Sequence, residues 1–206
     1  MEPFQTVEGG AAAMPAANID TDVIMPKQFL KGIDRKGLAR GVFFDLRFDE
    51  AGGPRETFVL NQPPWTEARF LVVGPNFGCG SSREHAVWGL AQLGIRALIG
   101  TSFAGIFFDN CARNGLLAIT LPADEIETLL ALAADPATCR FTIDLAEQVI
   151  EGAGRQLRFE IDASRKHALL NGLDPVGVTL ARADEIRAFE AAHLAANPWL
   201  APAAAP

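Results

Sequence analysis

Residues 70–100 read FLVVGPNFGCGSSREHAVWGLAQLGIRALIG, and this stretch decides the fold. FLVV (70–73) is a short apolar run stopped by Gly74-Pro75, as a buried strand ends at a breaker. In SREHAVWGLAQLG (82–94), Val87, Leu90 and Ala91 share one helical face and Gly94 supplies the stop. RALIG (96–100) predicts a second strand, SFAGIFFDNCARNG (102–115) a second helix closed by Asn114-Gly115, and LLAITL (116–121) a third strand. Strand, helix, strand, helix, strand with short connections marks a parallel sheet covered by helices. After Pro122, ADEIETLLALAA (123–134) predicts a further amphipathic helix, with acids in the first turn where the helix dipole favours them.

The flanks are less regular. FTIDL (141–145) and LRFEI (157–161) alternate as strands do, with EGAG (151–154) as the turn between them. HALLNG (167–172) and RADEIRAFEAAHL (182–194) predict short C-terminal helices. Residues 1–65 carry mixed signals: NIDTDVIMPKQFLKG (18–32) reads as irregular and AGGPRE (51–56) as a loop. The expectation is an α/β fold: a helix-covered, largely parallel sheet with an irregular, β-containing N-terminal part and C-terminal helices. A single domain is expected over 1–198, followed by a disordered tail over 199–206 that includes APAAAP.

Composition narrows the function. With 206 residues and 49% hydrophobic side chains the chain can bury a core of its own. No uncharged stretch approaches the roughly 20 residues of a membrane span, and MEPFQTVEGG lacks the basic and apolar regions of a secretory signal. A cytoplasmic location without membrane contact is therefore expected. The net charge of −7, with no run of Lys or Arg, disfavours nucleic acid as a partner. An anionic ligand would need positive charge supplied locally. Cys79, Cys111 and Cys139 are widely spaced without a C-x-x-C, so no metal or iron–sulfur site can be assembled from them by a familiar pattern.

The glycine-rich turn GPNFGCGSSREHA (74–86) admits two readings that composition leaves open. In one, Ser81-x-x-Glu84 is a capping box that satisfies free amides at the helix start. In the other, the free amides and the helix dipole bind an anion. Arg83 then grips a carboxylate in bidentate fashion, and a serine hydroxyl in that positive field takes a proton from carbon as an alkoxide. Such chemistry suits a small polycarboxylate. Two further readings fail. A dinucleotide fingerprint built on Gly78-x-Gly80 needs glycine or alanine at 83, which is arginine, and an acid after RALIG, where Gly100-Thr101 stand. A serine hydrolase needs G-x-S-x-G, but Gly80-Ser81-Ser82-Arg83-Glu84 ends in glutamate. Glu84 and His85 are assigned to capping and ion pairs around the helix start.

GPNFGCGSSREHAVWGLAQLGIRALIGTSFAGIF (74–107) resembles the signature of the swivelling domain of the aconitase superfamily. With NIDTDVIMPKQFLKG, SFAGIFFDNCARNGLL (102–117) and RKHALLNGLDPVGVTL (165–180), residues from about 4 to 190 resemble one family within it, the 3-isopropylmalate dehydratase small subunits. The resemblance implies that Ser81 is the general base, and that Ser82 and Arg83 contact a substrate carboxylate. It places Asp22 near the site, with Asn76 and Gly80 in support, and gives Lys27 and Lys31 to a loop that helps choose the substrate's side group. It implies a hydro-lyase of leucine biosynthesis that converts 2-isopropylmalate to 3-isopropylmalate through 2-isopropylmaleate, acting on a small dicarboxylate. The [4Fe–4S] cluster of that family is expected on a separate large subunit and no metal or cofactor on this chain. The shared motif block keeps homoaconitate, citraconate and methylmalate hydratases open, and a non-catalytic anion-binding module remains the alternative outside enzymes.

Overall fold

A computed structural model of the chain describes residues 1–31 and 35–200. Seven strands form one sheet: β1 (Thr6–Met14), β2 (Ala68–Val73), β3 (Ala97–Gly100), β4 (Leu117–Thr120), β5 (Arg140–Asp144), β6 (Val149–Gly152) and β7 (Arg155–Arg158), in the order β4-β3-β2-β1-β5-β6-β7. The first four run parallel to one another; β5 turns antiparallel against β1, and β6 and β7 continue that antiparallel wing. The sheet is thus mixed, and the parallel half is the part that FLVV, RALIG and LLAITL foretell. The helices are α1 (Thr21–Ile24), α2 (Phe44–Arg47), α3 (His85–Leu93), α4 (Gly105–Arg113), α5 (Ala123–Ala134), α6 (Ala163–Asn171), α7 (Pro175–Leu180) and α8 (Ala183–Ala196). None of the described helices is long and apolar enough to cross a membrane.

Alternation along the strands sends side chains to two cores. Phe70 and Val72 join Ile99 and Ile119 beneath Ile126, Leu129 and Ala133 of α5. Leu71 and Val73 face the other way, into a cluster with Val87 and Leu90 of α3, Phe107 and Cys111 of α4, and Ile24 and Met25 at the end of α1. Full burial of each such large side chain contributes about 1.5–3 kcal/mol. Asp162 caps α6 by accepting from the amides of Ser164 and Arg165. Asp174 caps α7 by accepting from Gly177, with Pro175 at the first helical position. Neither α7 nor α8 buries a residue, and Val176, Leu180, Ile186 and Phe189 stand exposed along them.

The structure adds detail to the reading of the flanks. The N-terminal part supplies the central strand, because TVEGGAAAM (6–14) pairs with β2 on one side and β5 on the other. Its small residues have a packing reason: a Cβ on Gly9 would fall 2.2 Å from Cγ of Arg69, so glycine leaves room for the arginine stem. The expected pair of strands around EGAG is three strands and two turns. Glu151 and Gly152 belong to β6, the tight turn is Ala153-Gly154 with φ of 49° and 73°, and the last strand is Arg155–Arg158, upstream of the predicted 157–161. Left-handed angles at both turn residues match the twist of a two-residue hairpin. Of the tail, Trp199 and Leu200 sit in a helical turn (Pro198–Leu200), and 201–206 lie outside the described residues.

At the open end of the β1–β5 pairing, Thr6 donates to the Asp144 carboxylate at 2.7 Å and the Glu147 amide donates to it at 2.9 Å. The Glu147 amide, followed by the Thr6 hydroxyl, holds the Asp144 carboxyl below its ordinary range. A lowered carboxyl stabilises the fold above the unfolded carboxylate range and loses that contribution as pH falls through the folded value. Asp144→Asn is therefore expected to lower the urea midpoint near neutral pH, with the gap from wild type closing below about pH 4. A gap that stays constant over that range would show that the charge contributes nothing.

Candidate functional site

The loops that leave the carboxyl ends of β1, β2 and β3 meet at one edge of the sheet, where open α/β sheets place their ligands. Strand pairing does not stop at the strand ends. The Asn18 amide donates to the Pro75 carbonyl at 2.9 Å, Gly78 to Ile19 at 2.8 Å, and Thr21 to Cys79 at 2.8 Å. On the other side Phe77 bridges Phe103, and the Asn76 amide donates to the Ser102 hydroxyl at 2.9 Å. Asn76 also donates through its side chain to the Asn18 side-chain oxygen at 2.8 Å. The glycine-rich turn is thus a rung between two other loops. Gly78 takes φ of +77°, and a Cβ there would stand 2.2 Å from the Phe107 ring. Gly80 takes φ of +98° and packs over Thr21.

Ser81 and Ser82 follow. Of the two readings of the turn, the capping box does not form: α3 begins at His85 with Glu84 at its N-cap, and Glu84 makes no side-chain capping bond. The reason is that the serine backbone is engaged elsewhere. The Ser81 amide donates to Thr21 Oγ1 at 2.9 Å, and the Ser82 carbonyl accepts from Asn110 Nδ2 at 3.1 Å. The helix therefore starts after both serines, and the Ser81 hydroxyl is not its cap. The roles assigned to Glu84 and His85 are corrected with it. Among the described residues neither joins an ion pair, and the His85 ring packs on Trp88 with 4.7 Å between centroids.

Arg83 reaches back to the N-terminal segment, where its Nη1 donates to Asp22 Oδ1. Asp22 lies in the first turn of α1, which Asp20 caps by accepting from the Val23 amide at 2.7 Å. Lys27 Nζ stands 4.0 Å from the other Asp22 oxygen. With the Arg83 and Asp22 side chains 24% and 45% exposed, such a pair contributes at most about 1 kcal/mol to stability. Its consequence is orientation, since one arm of the guanidinium is fixed while Nε and Nη2 bond no other described residue. The structure therefore brings together Ser81, Ser82, Arg83, Asp22, Lys27, Asn76 and Gly80. Lys31 stands apart, exposed just past the turn Lys27–Leu30, and the neighbouring 32–34 lie outside the described residues.

Two site residues escape the sequence reading, Thr21 and Asn110. Thr21 sits inside the D-T-D segment, whose acids draw the eye. Asn110 stands three residues after Phe107 on the buried stripe of α4, and a polar residue on an apolar stripe is the signal that could have found it. The cysteines lie scattered. Cys111 and Cys139 are buried, and burial pushes the Cys111 thiol up. Cys79 is half-buried, its Sγ 3.5 Å from the Asn18 carbonyl oxygen. Among the described residues no three of His, Cys, Asp and Glu converge as a metal-holding set. A cavity of about 760 Å³ opens at the other end of the strands, between Gly9, Arg69, Gly94 and Cys139, and takes no lining from the serine loop.

Comparison with known proteins gives a consistent picture. The family model described as the aconitase C-terminal domain matches residues 1–124, and that described as the C-terminal domain of the 3-isopropylmalate dehydratase small subunit matches 176–203. A third, LeuD_N, matches 127–163. The chain is 60% identical over 200 residues to 3-isopropylmalate dehydratase small subunit 1 of Mannheimia succiniciproducens, covering 97% of this chain and 99% of that one. It is 52% identical over 206 residues to 3-isopropylmalate dehydratase small subunit 2 of Salmonella typhimurium, covering 100% and 99%. The crystal structure of 3-isopropylmalate dehydratase from Methanocaldococcus jannaschii superposes with a TM-score of 0.66 at 28% identity, covering 90% of this chain and 99% of that one.

The backbone of the turn carries its own prediction. Gly78→Ala drives a methyl group into the Phe107 ring at a left-handed φ and is expected to cost about 1–3 kcal/mol of folding free energy, read as a lowered urea midpoint. A midpoint equal to wild type would mean that the loop rungs yield easily.

Proposed function

This chain belongs to the 3-isopropylmalate dehydratase small-subunit family, and we propose that it forms the smaller half of a two-chain hydro-lyase that isomerises 2-isopropylmalate to 3-isopropylmalate in leucine biosynthesis. The observation that carries the residue assignment is the state of the serine loop. Ser81 is excused from capping α3, and beside it Arg83 is held by Asp22 with the rest of its fork unbonded among the described residues.

In the reaction a proton leaves one carbon of the substrate while hydroxide leaves its neighbour, giving 2-isopropylmaleate. Water then adds back with the two positions exchanged. Ser81 takes the proton and returns it on the opposite carbon in the second half. A serine hydroxyl is a weak base unless its alkoxide is stabilised, and the positive charge of Arg83, two residues along the same loop, favours that state. Arg83 and the exposed Ser82 hydroxyl hold a substrate carboxylate. Asp22 fixes the guanidinium plane, and Lys27 adds a second cation beside it for a dianion. Lys31 is retained as part of the loop that meets the side group.

Departure of hydroxide calls for a Lewis acid, which the family's [4Fe–4S] cluster supplies when bound. We place that cluster on the large subunit. Support comes from the thiols of this chain, two of them committed to the core and the third turned to a backbone carbonyl. Docking of the large subunit would then complete the site, with this chain contributing Ser81 as base and Arg83 as the carboxylate grip. Three free cysteines also suit the reducing cytoplasm, where we place the assembled enzyme.

Reconstituted with its large subunit, Ser81→Ala is expected to lose about 10²–10⁴-fold in kcat, and its unfolding free energy in urea should stay within about 0.5 kcal/mol of wild type because the hydroxyl caps nothing. Turnover within a few-fold of wild type would remove Ser81 as base and favour a non-catalytic anion-binding role. In Arg83→Lys the charge survives but the bidentate fork does not, so KM for 2-isopropylmalate should rise about ten-fold, the equivalent of one lost carboxylate contact. An unchanged KM and kcat would take Arg83 out of the substrate's reach.

A further inference from the structure

Among the described residues, the buried polar or charged side chains are Thr21, Arg96 and Asn110. Arg96 holds down the N-terminus through Glu2 and the Pro3 carbonyl. The other two converge on the serine loop from different elements. Thr21, 1% exposed, begins α1 and accepts the Ser81 amide; Asn110, 4% exposed, stands in α4 and donates to the Ser82 carbonyl. Burying a hydroxyl or an amide is costly unless a hydrogen bond compensates, and in both cases the compensating bond goes to the backbone of a serine.

We propose that Thr21 and Asn110 are positioning residues that clamp the Ser81-Ser82 backbone and so aim the Ser81 hydroxyl, with no bond to the hydroxyl itself. The proposal rests on the reading of Ser81 as base. Fixing the amide of Ser81 and the carbonyl of Ser82 restrains the dihedrals between them, and with them the direction of the Ser81 Cβ. The oxygen stays free for substrate. Both jaws are rigid. The Thr21 amide donates to Cys79 and its carbonyl accepts from Met25, so its own backbone cannot drift. The Asn110 carbonyl accepts from the amide and side chain of Asn114, whose oxygen in turn accepts from Trp88 Nε1 at 2.8 Å, tying α4 to α3. A clamp made of protein alone is complete before any partner docks.

The test separates position from chemistry. Thr21→Val keeps the shape and removes the acceptor, and Thr21→Ser restores it. In the assembled enzyme Thr21→Val is expected to lose about 10–100-fold in kcat, the scale of a misplacement of about 1 Å, with KM within about three-fold of wild type because the carboxylate grip of Arg83 is untouched. Thr21→Ser should recover most of that loss. In the purified full chain the Ser81 amide should exchange at least about ten-fold faster in Thr21→Val than in wild type or Thr21→Ser, as an amide freed of its bond does. Asn110→Asp, nearly isosteric, sets a carboxylate against the Ser82 carbonyl and should reproduce the kcat loss. It decides the matter if Thr21→Val does not fold. Undiminished kcat in the folded variants, or Ser81 amide exchange unchanged in Thr21→Val, would overturn the clamp. The base assignment fails separately, through an active Ser81→Ala, and that result would leave the exchange measurement standing.

Discussion

The parallel pairing of β1 with β2 is the constraint on which the site depends. It joins segments about 60 residues apart in the chain, Gly10 to Ala68 and Met14 to Val73, and continues past the strands through Asn18, Ile19 and Thr21. Closing a loop of that length costs entropy that grows only slowly with length, so the long excursion through α2 is tolerated once the strands are zipped. Every residue proposed for the reaction hangs on the continuation. Asp22 reaches Arg83 because Thr21 is already bonded to Cys79, and Ser81 meets Thr21 for the same reason. A slip of one residue between β1 and β2 would turn each of these side chains to the wrong face.

Local charge follows from the same geometry. A chain with net charge −7 repels a dianion at long range. The site answers with Arg83 and Lys27 flanking Asp22, two cations to one anion on a partly exposed surface. Asp22 lowers the net attraction and in exchange fixes the fork. For the proposed carboxylate grip orientation matters more, since a bidentate contact requires the guanidinium plane to be preset.

The sequence showed the parallel half clearly, because FLVV, RALIG and LLAITL are apolar runs punctuated by glycine and separated by helical periodicity. It hid β1, because GGAAA carries no β-propensity and its small residues answer to Arg69 and to tertiary packing instead. It blurred the antiparallel wing, because β6 and β7 are four residues each, too short for alternation to show. Around the serines the local pattern S-x-x-E pointed to a cap, and tertiary bonds from Thr21 and Asn110 overrode it. The Arg83 grip and a serine base were legible in the chemistry of the turn itself, whereas the choice of Ser81, the role of Ser82 and the placing of Asp22 came from a family resemblance. Their mutual geometry was not legible, since no pattern of spacing links residue 22 to residue 83 or residue 110 to residue 82.

The rungs that tie the serine loop to its neighbours also bear on association with a second chain. A loop ordered only on docking would subtract its conformational entropy from the binding free energy, and a partner facing a fractionally populated competent state binds more weakly by that fraction. Here the loop from Pro75 to Ser82 is bonded on both sides within one chain. That entropy is lost during folding and is not charged again to association. A second chain that meets this loop meets a preformed surface and gives up no binding free energy to order it.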